Sequence, residues 1–159
     1  MFARPEYLAA RFAKLKVLIV EDQHYMRKVI RTMLATIGVL EVQEACNGAE
    51  GLHAVSQLSP DVILVDWDMP ILNGLEFIGM IRGPTNNLCP EIPIIMLTGH
   101  GDRWRVVEAA RMGVHEFLLK PVSTRALQDR LVGIICRPRP MMSLQDKLVP
   151  APRRLAVID

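Results

Sequence analysis

Glu21, Asp22, Asp66, Thr98 and Lys120 each stand directly behind a short apolar run in the chain. Their types suit one chemistry. Three carboxylates brought together repel one another unless a cation joins them. An oxygen-only set with few carboxylates and room for water suits Mg²⁺. A hydroxyl from Thr98 can donate to a phosphoryl oxygen, and the ammonium of Lys120 can balance its charge. Asp66, the central carboxylate, is then a candidate nucleophile, because aspartate can attack phosphorus to give an acyl phosphate. Such a transfer needs in-line positioning and charge neutralisation and little else. Each residue alone would read as a helix cap, a surface lysine or a strand-end threonine. Their recurrence behind successive apolar runs is what points to a site.

The runs must be strands if they are to position these groups. Val62-Ile63-Leu64-Val65 is apolar throughout and rich in β-branched residues, the pattern of a strand buried on both faces, and Pro70 forbids the ladder beyond it. Val17 to Val20 and Ile94 to Leu97 read the same way, His115 to Leu119 reads as a fifth strand, and Val39 to Ala45 alternates well enough to be a second strand. Between them, Tyr25, Met26, Val29, Ile30, Met33, Leu34 and Ile37 follow a helical period that Gly38 ends. Asn47 can cap a helix reaching about Leu58, with Glu50 as its reciprocal partner. Further helices are expected from about Asn73 to Ile81, from Asp102 to about Met112, and after a Ser123 cap with Leu127, Leu131, Ile134 and Ile135 on one face. Gly83 to Pro93 reads as a surface loop. Long strand–helix–strand links imply right-handed crossovers and a parallel sheet. The expectation is an α/β fold, a doubly wound five-stranded parallel sheet in the order 2-1-3-4-5, flavodoxin-like. There, ligands bind beyond the carboxyl ends of the strands.

Two segments fall outside this core. Residues 1–15 carry a short helix over 5–14, with Tyr7, Leu8, Phe12 and Leu15 on one face to pack on the domain. The core is expected over 16–137. Residues 138–159, punctuated by Pro138, Pro140, Pro150 and Pro152 and dotted with Arg and Lys, read as a mobile tail with at most one docked turn. With 159 residues, 50% of them hydrophobic and 23% charged, the chain can bury a sizeable core. A net charge of +2 is too small to argue for nucleic acid. Cys46, Cys89 and Cys136 form no CxxC pair, and their odd count speaks against a disulfide framework. The histidines show no zinc-ligand spacing, and no apolar run reaches the roughly 20 residues of a membrane helix. A soluble, cytoplasmic protein with no membrane partner is expected.

The segments VLIVED, DVILVDWDMPILNGLEF, IIMLTG and FLLKP together resemble the signatures of bacterial response-regulator receiver domains, including the chemotaxis type. The resemblance covers about residues 16 to 137. It implies that Asp66 is the phosphoacceptor, that Asp22 and Glu21 hold Mg²⁺ directly and through water, and that the backbone carbonyl of Asp68 completes the metal shell. It also implies that Thr98 and Phe117 form a switch pair and that the Lys120-Pro121 bond is cis. Gly99 would leave the phosphoryl group accessible, and Gly74 would permit the turn before its helix. Glu21 stands where many members carry Asp, which lengthens one ligand arm. Asp68 and His100 occupy the positions that tune how fast the phosphate is lost, and should face each other across the pocket mouth.

Other readings compete. Asp66-Trp67-Asp68 also resembles the DxD motif of haloacid-dehalogenase phosphatases, but those enzymes place their further acidic ligands after the nucleophile, whereas Glu21 and Asp22 precede it. A flavodoxin-like cofactor binder would need a phosphate-cradling loop where this chain has acids. A transcription factor would need a DNA-binding domain, and only about twenty residues follow the last helix. The expected function is therefore that of a single-domain response regulator. It would signal by phosphorylation-dependent protein contacts or relay, and would catalyse only its own phosphorylation and dephosphorylation. The implied partner is a sensor histidine kinase or a histidine phosphotransfer protein, with a homodimer through the last helices left open.

Overall fold

The computed structural model describes residues 4–83, 90–145 and 147–152. Elements follow in the order α1 (Pro5–Lys14), β1 (Lys16–Val20), α2 (His24–Ile37), β2 (Glu41–Ala45), α3 (Gly48–Leu58), β3 (Val62–Asp66) and α4 (Gly74–Arg82). They continue with β4 (Ile94–Thr98), α5 (Arg103–Met112), β5 (Glu116–Leu119), α6 (Thr124–Cys136), β6 (Met141–Leu144) and β7 (Lys147–Pro150). The first five strands form one parallel sheet in the order β2-β1-β3-β4-β5.

Side-chain alternation along the strands divides the core in two. Val17, Ile19, Val62, Leu64, Ile95 and Leu97 face α1, α2 and α6, where Phe12, Ile30, Leu34 and Leu131 complete one cluster. Leu18, Val20, Ile63, Val65, Ile94 and Met96 face α3, α4 and α5 and pack with Val55, Phe77, Ile78 and Ala109. Every position of β3 and β4 is buried, which is why these strands read as unbroken apolar runs. Helix boundaries follow local chemistry. Gly38 and Gly113 adopt the left-handed conformation that ends α2 and α5. Asn73 and Glu76 make a full capping box on α4, and Ser123 accepts from the Ala126 amide at the start of α6.

Several details depart from the sequence reading. β2 begins at Glu41 rather than Val39, and β5 at Glu116 rather than His115. Asn47 caps α3, but the Glu50 carboxylate accepts from the Cys46 amide, one residue before the expected partner. Asp102 occupies the N-cap position of α5 without a side-chain cap bond. The largest correction concerns the segment expected to be a mobile tail. Met141–Leu144 and Lys147–Pro150 pair as antiparallel strands, the second of which packs on α4 and α5 with Val149 and Pro150 buried. The prolines do not interrupt the pairing. Pro140 accepts from the Ala151 amide just outside the ladder, and Pro150 is its last residue. Lys147 donates to the Met112 sulfur at 3.3 Å, and Arg139 donates to the His115 carbonyl. The expected loop from 83 to 93 is described only at its ends; residues 84–89, with Cys89, and residues 153–159 lie outside the described residues.

Candidate functional site

The parallel register places the carboxylates side by side. Val20 of β1 pairs with Val65 of β3, so Glu21 and Asp66 emerge together at adjacent strand ends. The Glu21 amide bonds the Ala45 carbonyl at 3.1 Å and the Trp67 amide bonds the Leu97 carbonyl at 2.9 Å, which extends the ladder past both residues. Glu21 is buried, Asp66 is 4% exposed and Asp22 is half-buried. Oxygens of all three lie within 4.8 Å of one another. The close approach of α4 beneath them requires glycine, because a Cβ at Gly74 would collide with the backbone of Asp66 and Trp67.

Lys120 reaches in from the end of β5. Its Nζ donates to Asp66 Oδ1 at 3.0 Å and to Glu21 Oε2 at 3.4 Å. The Lys120 amide bonds the Thr98 carbonyl at 2.8 Å, and the Lys120-Pro121 peptide is cis. Burial, and then the neighbouring Asp66 charge, push the Glu21 carboxyl up to about 7, with Lys120 opposing. Burial also raises Asp66, while the Lys120 contact pulls it back. For Lys120 burial acts downward, but the Asp66 hydrogen bond and the two carboxylate charges override it and leave its ammonium raised. One ammonium, held by two of the carboxylates, thus stands against a cluster of three, and a divalent cation would bring the fully ionised group to neutrality. The oxygen donors present fit a hard metal ion.

Thr98 is fully buried, and its hydroxyl accepts from the His100 amide at 3.1 Å. Phe117 is half-buried and meets Trp67 edge to face, ring centroids 6.4 Å apart. At the mouth, His100 Nε2 and Asp68 Oδ2 stand 3.9 Å apart, both largely exposed. A Cβ at Gly99 would meet nothing within 4 Å, so the space beside the pocket is open whether or not that residue is glycine. All eight residues singled out in the sequence therefore lie at the carboxyl ends of β1, β3, β4 and β5 or, for Phe117, within β5.

Two neighbours escaped the sequence reading. Arg27 on α2 donates to the Glu21 carbonyl at 2.8 Å and stands 3.5 Å from Glu44, which steadies the turn carrying two carboxylates. Arg105 lies over the Trp67 ring at 5.0 Å and the Trp104 ring at 4.9 Å, joining the residue after Asp66 to the first turn of α5. Neither shows in spacing, since Arg27 reaches Glu44 on β2 and Arg105 reaches Trp67 beyond β3.

Residues 17–132 match the family described as response regulator receiver domain. The chemotaxis protein CheY1 of Helicobacter pylori is 34% identical over 122 residues, covering 76% of this chain and 97% of that protein. CheY-3 of Vibrio cholerae is 30% identical, covering 77% and 93%. Among solved structures, chemotaxis protein CheY4 of Vibrio cholerae superposes with a TM-score of 0.67 at 31% identity, over 74% of this chain and 95% of that one. The receiver domain of the Francisella response regulator 1452 gives 0.70 at 27% identity, over 78% and 98%. The phosphatase alternative gains nothing from these comparisons, and the acids beside Asp66 come from the end of β1, ahead of it in the chain. Among the described residues no helix is long and apolar enough to cross a membrane.

Proposed function

The chain belongs to the response-regulator receiver family, and from that membership we propose that it accepts a phosphoryl group on Asp66 from a histidine kinase or histidine phosphotransfer protein in the cytoplasm. The observation that carries this reading is the Lys120 ammonium bridging Asp66 and Glu21 inside a three-carboxylate pocket. In the reaction an Asp66 oxygen forms a bond to phosphorus as the phosphorus–nitrogen bond of the donor histidine breaks, and the imidazole leaves with that electron pair. Lys120 opposes the burial that favours the neutral form of Asp66 and would balance charge on the phosphoryl oxygens. Thr98 offers its hydroxyl to one of those oxygens, which would draw it from the His100 amide it now serves. Glu21, Asp22, Asp66 and the Asp68 carbonyl would hold Mg²⁺, which supplies charge neutralisation. Phe117, edge-on to Trp67, would carry the change to the surface of α5, β5 and α6. The output is a phosphorylation-dependent protein contact or a relay.

The test uses acetyl phosphate or beryllofluoride with Mg²⁺ on the whole protein. Asp66→Asn is expected to abolish modification, and Asp22→Ala to abolish its metal dependence by removing a direct ligand. Equal modification of Asp66→Asn and wild type would overturn the assignment.

A further inference from the structure

The loop that leaves Asp66 contains a strained residue whose identity the fold does not explain. Ile71 has φ 69, and the Leu72 amide bonds the Pro70 carbonyl at 2.8 Å. A bond spanning two residues about a positive φ is a γ-turn of the rare, strained form. The turn itself has a purpose. On either side of it Met69 is buried and Leu72 packs against the same core, close to Gly48 at the start of α3. The chain must also reverse in time for Gly74 to approach the Asp66 backbone.

Nothing in the turn asks for isoleucine. A β-branched side chain is a poor occupant of the left-handed region, where glycine or asparagine would sit with less strain. Nor does the chain gain by burying it, because Ile71 is 102% exposed. A strained backbone under an exposed apolar group has no compensation within this molecule, which is the pattern expected where a partner supplies it. Location identifies the partner. Glu21, Asp66 and Thr98 are almost wholly buried, so a phosphoryl group reaches Asp66 only through the mouth framed by the strand-end loops. In-line transfer brings the donor nitrogen to within a bond's reach of Asp66, and the donor's surface must then lie on those loops. Tyr25, 76% exposed in the first turn of α2, adds a second bulky exposed side chain beyond the neighbouring strand β1.

We propose that Ile71 is an apolar contact for the protein that delivers the phosphoryl group, a histidine-bearing phosphodonor with an apolar surface around its reactive histidine. The proposal rests on the reading of Asp66 as phosphoacceptor and adds which residue the donor protein touches. A small phosphodonor needs no such contact.

The experiment compares wild type, Ile71→Asn and Ile71→Val with two kinds of donor, acetyl phosphate and purified autophosphorylated histidine kinases encoded in the same genome. Ile71→Asn suits the left-handed turn and is expected to raise Tm by about 2 to 4 °C. It should accept from acetyl phosphate at the wild-type rate. From the kinase that serves the wild type it should show an about tenfold loss of kcat/KM, mostly in KM, which Ile71→Val largely restores. An unchanged kcat/KM for Ile71→Asn with that kinase overturns the proposal. So does an equal loss with acetyl phosphate, which would place Ile71 within the chemistry of the pocket. If acetyl phosphate modifies the wild type and no kinase does, a docking role for Ile71 falls. If neither modifies Asp66, it is the phosphoacceptor reading that fails.

Discussion

Two buried charge centres lie at opposite ends of the sheet, and they are built on opposite terms. At the carboxyl end, Glu21 and Asp66 share the ammonium of Lys120, with the Asp22 carboxylate beside them. At the amino end, Arg82, 1% exposed at the close of α4, meets no carboxylate within ion-pair distance among the described residues. Its guanidinium instead donates to the carbonyls of Gly113 at 3.0 Å, Ile92 at 2.6 Å and Pro90. Burial lowers Arg82 to about 10, with Glu91 opposing, so it stays charged at any physiological pH. Both centres pay for desolvation, but only one is complete within the chain. Arg82 satisfies three carbonyls on two backbone segments and ties α4 to the starts of β4 and β5. The carboxylates leave a deficit of positive charge that only something from outside can fill. A buried charge that is satisfied holds the fold, and one that is not holds a ligand.

The contrast breaks most visibly if Arg82 is removed. Arg82→Met keeps much of the volume but strips donors from three buried carbonyls. It should cost about 3 to 5 kcal/mol of stability, the range for breaking one side of a buried polar cluster. Acetyl phosphate should still modify the folded fraction at Asp66, because the site lies at the other end of the strands. Urea unfolding alongside single-turnover labelling checks both halves. A variant that stays stable, or one that folds but cannot be labelled, would show that the two centres are not the separate devices described.

At the carboxyl end the expected effect has the opposite sign and depends on pH. Glu21 has a folded value of about 7 against an ordinary 4.5. Between those values the folded protein keeps a proton that the unfolded chain has released. The metal-free protein should therefore lose stability as pH rises through this window. Glu21→Gln removes the titrating group and should stabilise the metal-free protein by roughly 1 to 3 kcal/mol at pH 8 and by almost nothing at pH 5. Mg²⁺ competes with the same proton, so its rise in Tm should be larger at pH 8 than at pH 6 in the wild type. Thermal unfolding across pH, with and without Mg²⁺, reads all of this. A wild-type profile that climbs between pH 5 and 8 without metal would reverse the sign and remove the argument.

The two centres were not equally legible in the sequence. Asp66, Glu21, Asp22 and Thr98 follow unbroken apolar runs because their strands are buried on both faces, Lys120 follows the shorter run of the edge strand β5, and strand ends converge by topology alone. Sheet order and the caps at Asn47 and Ser123 follow from such local patterns, whereas Asp102 makes no side-chain cap bond. Arg82 carried no signal, since its partners are backbone carbonyls, which every residue possesses. The hairpin was missed for a related reason. Its two strands are four residues each, too short for a period to show, and they are fixed by Arg139, Lys147 and Val149 docking on other elements. Ile71 was hidden because a strained φ belongs to the turn that demands it.

The smallest expected effect lies at the pocket mouth and sharpens the idea of an unfilled site by asking what guards it. Once Asp66 carries a phosphoryl group, loss of that group requires water to attack in line from the open side. The open space beside Gly99 gives water room to arrive. His100 Nε2 and Asp68 Oδ2, 3.9 Å apart, span that approach from the loops after β4 and β3. If they act as a lid, His100→Ala and Asp68→Ala should each speed autodephosphorylation. Because exposed pairs contribute roughly 0 to 1 kcal/mol, the gain should be no more than about fivefold. Asp68→Ala leaves the backbone carbonyl in place, so metal binding should survive. The double variant should be no faster than the quicker single, as two halves of one lid are not additive. Added salt should accelerate the wild type and leave both variants unmoved, since it screens a pair that they no longer have. Two single effects that simply multiply would instead describe independent side chains, each touching the water on its own, and the lid would have no part in the lifetime of the acyl phosphate.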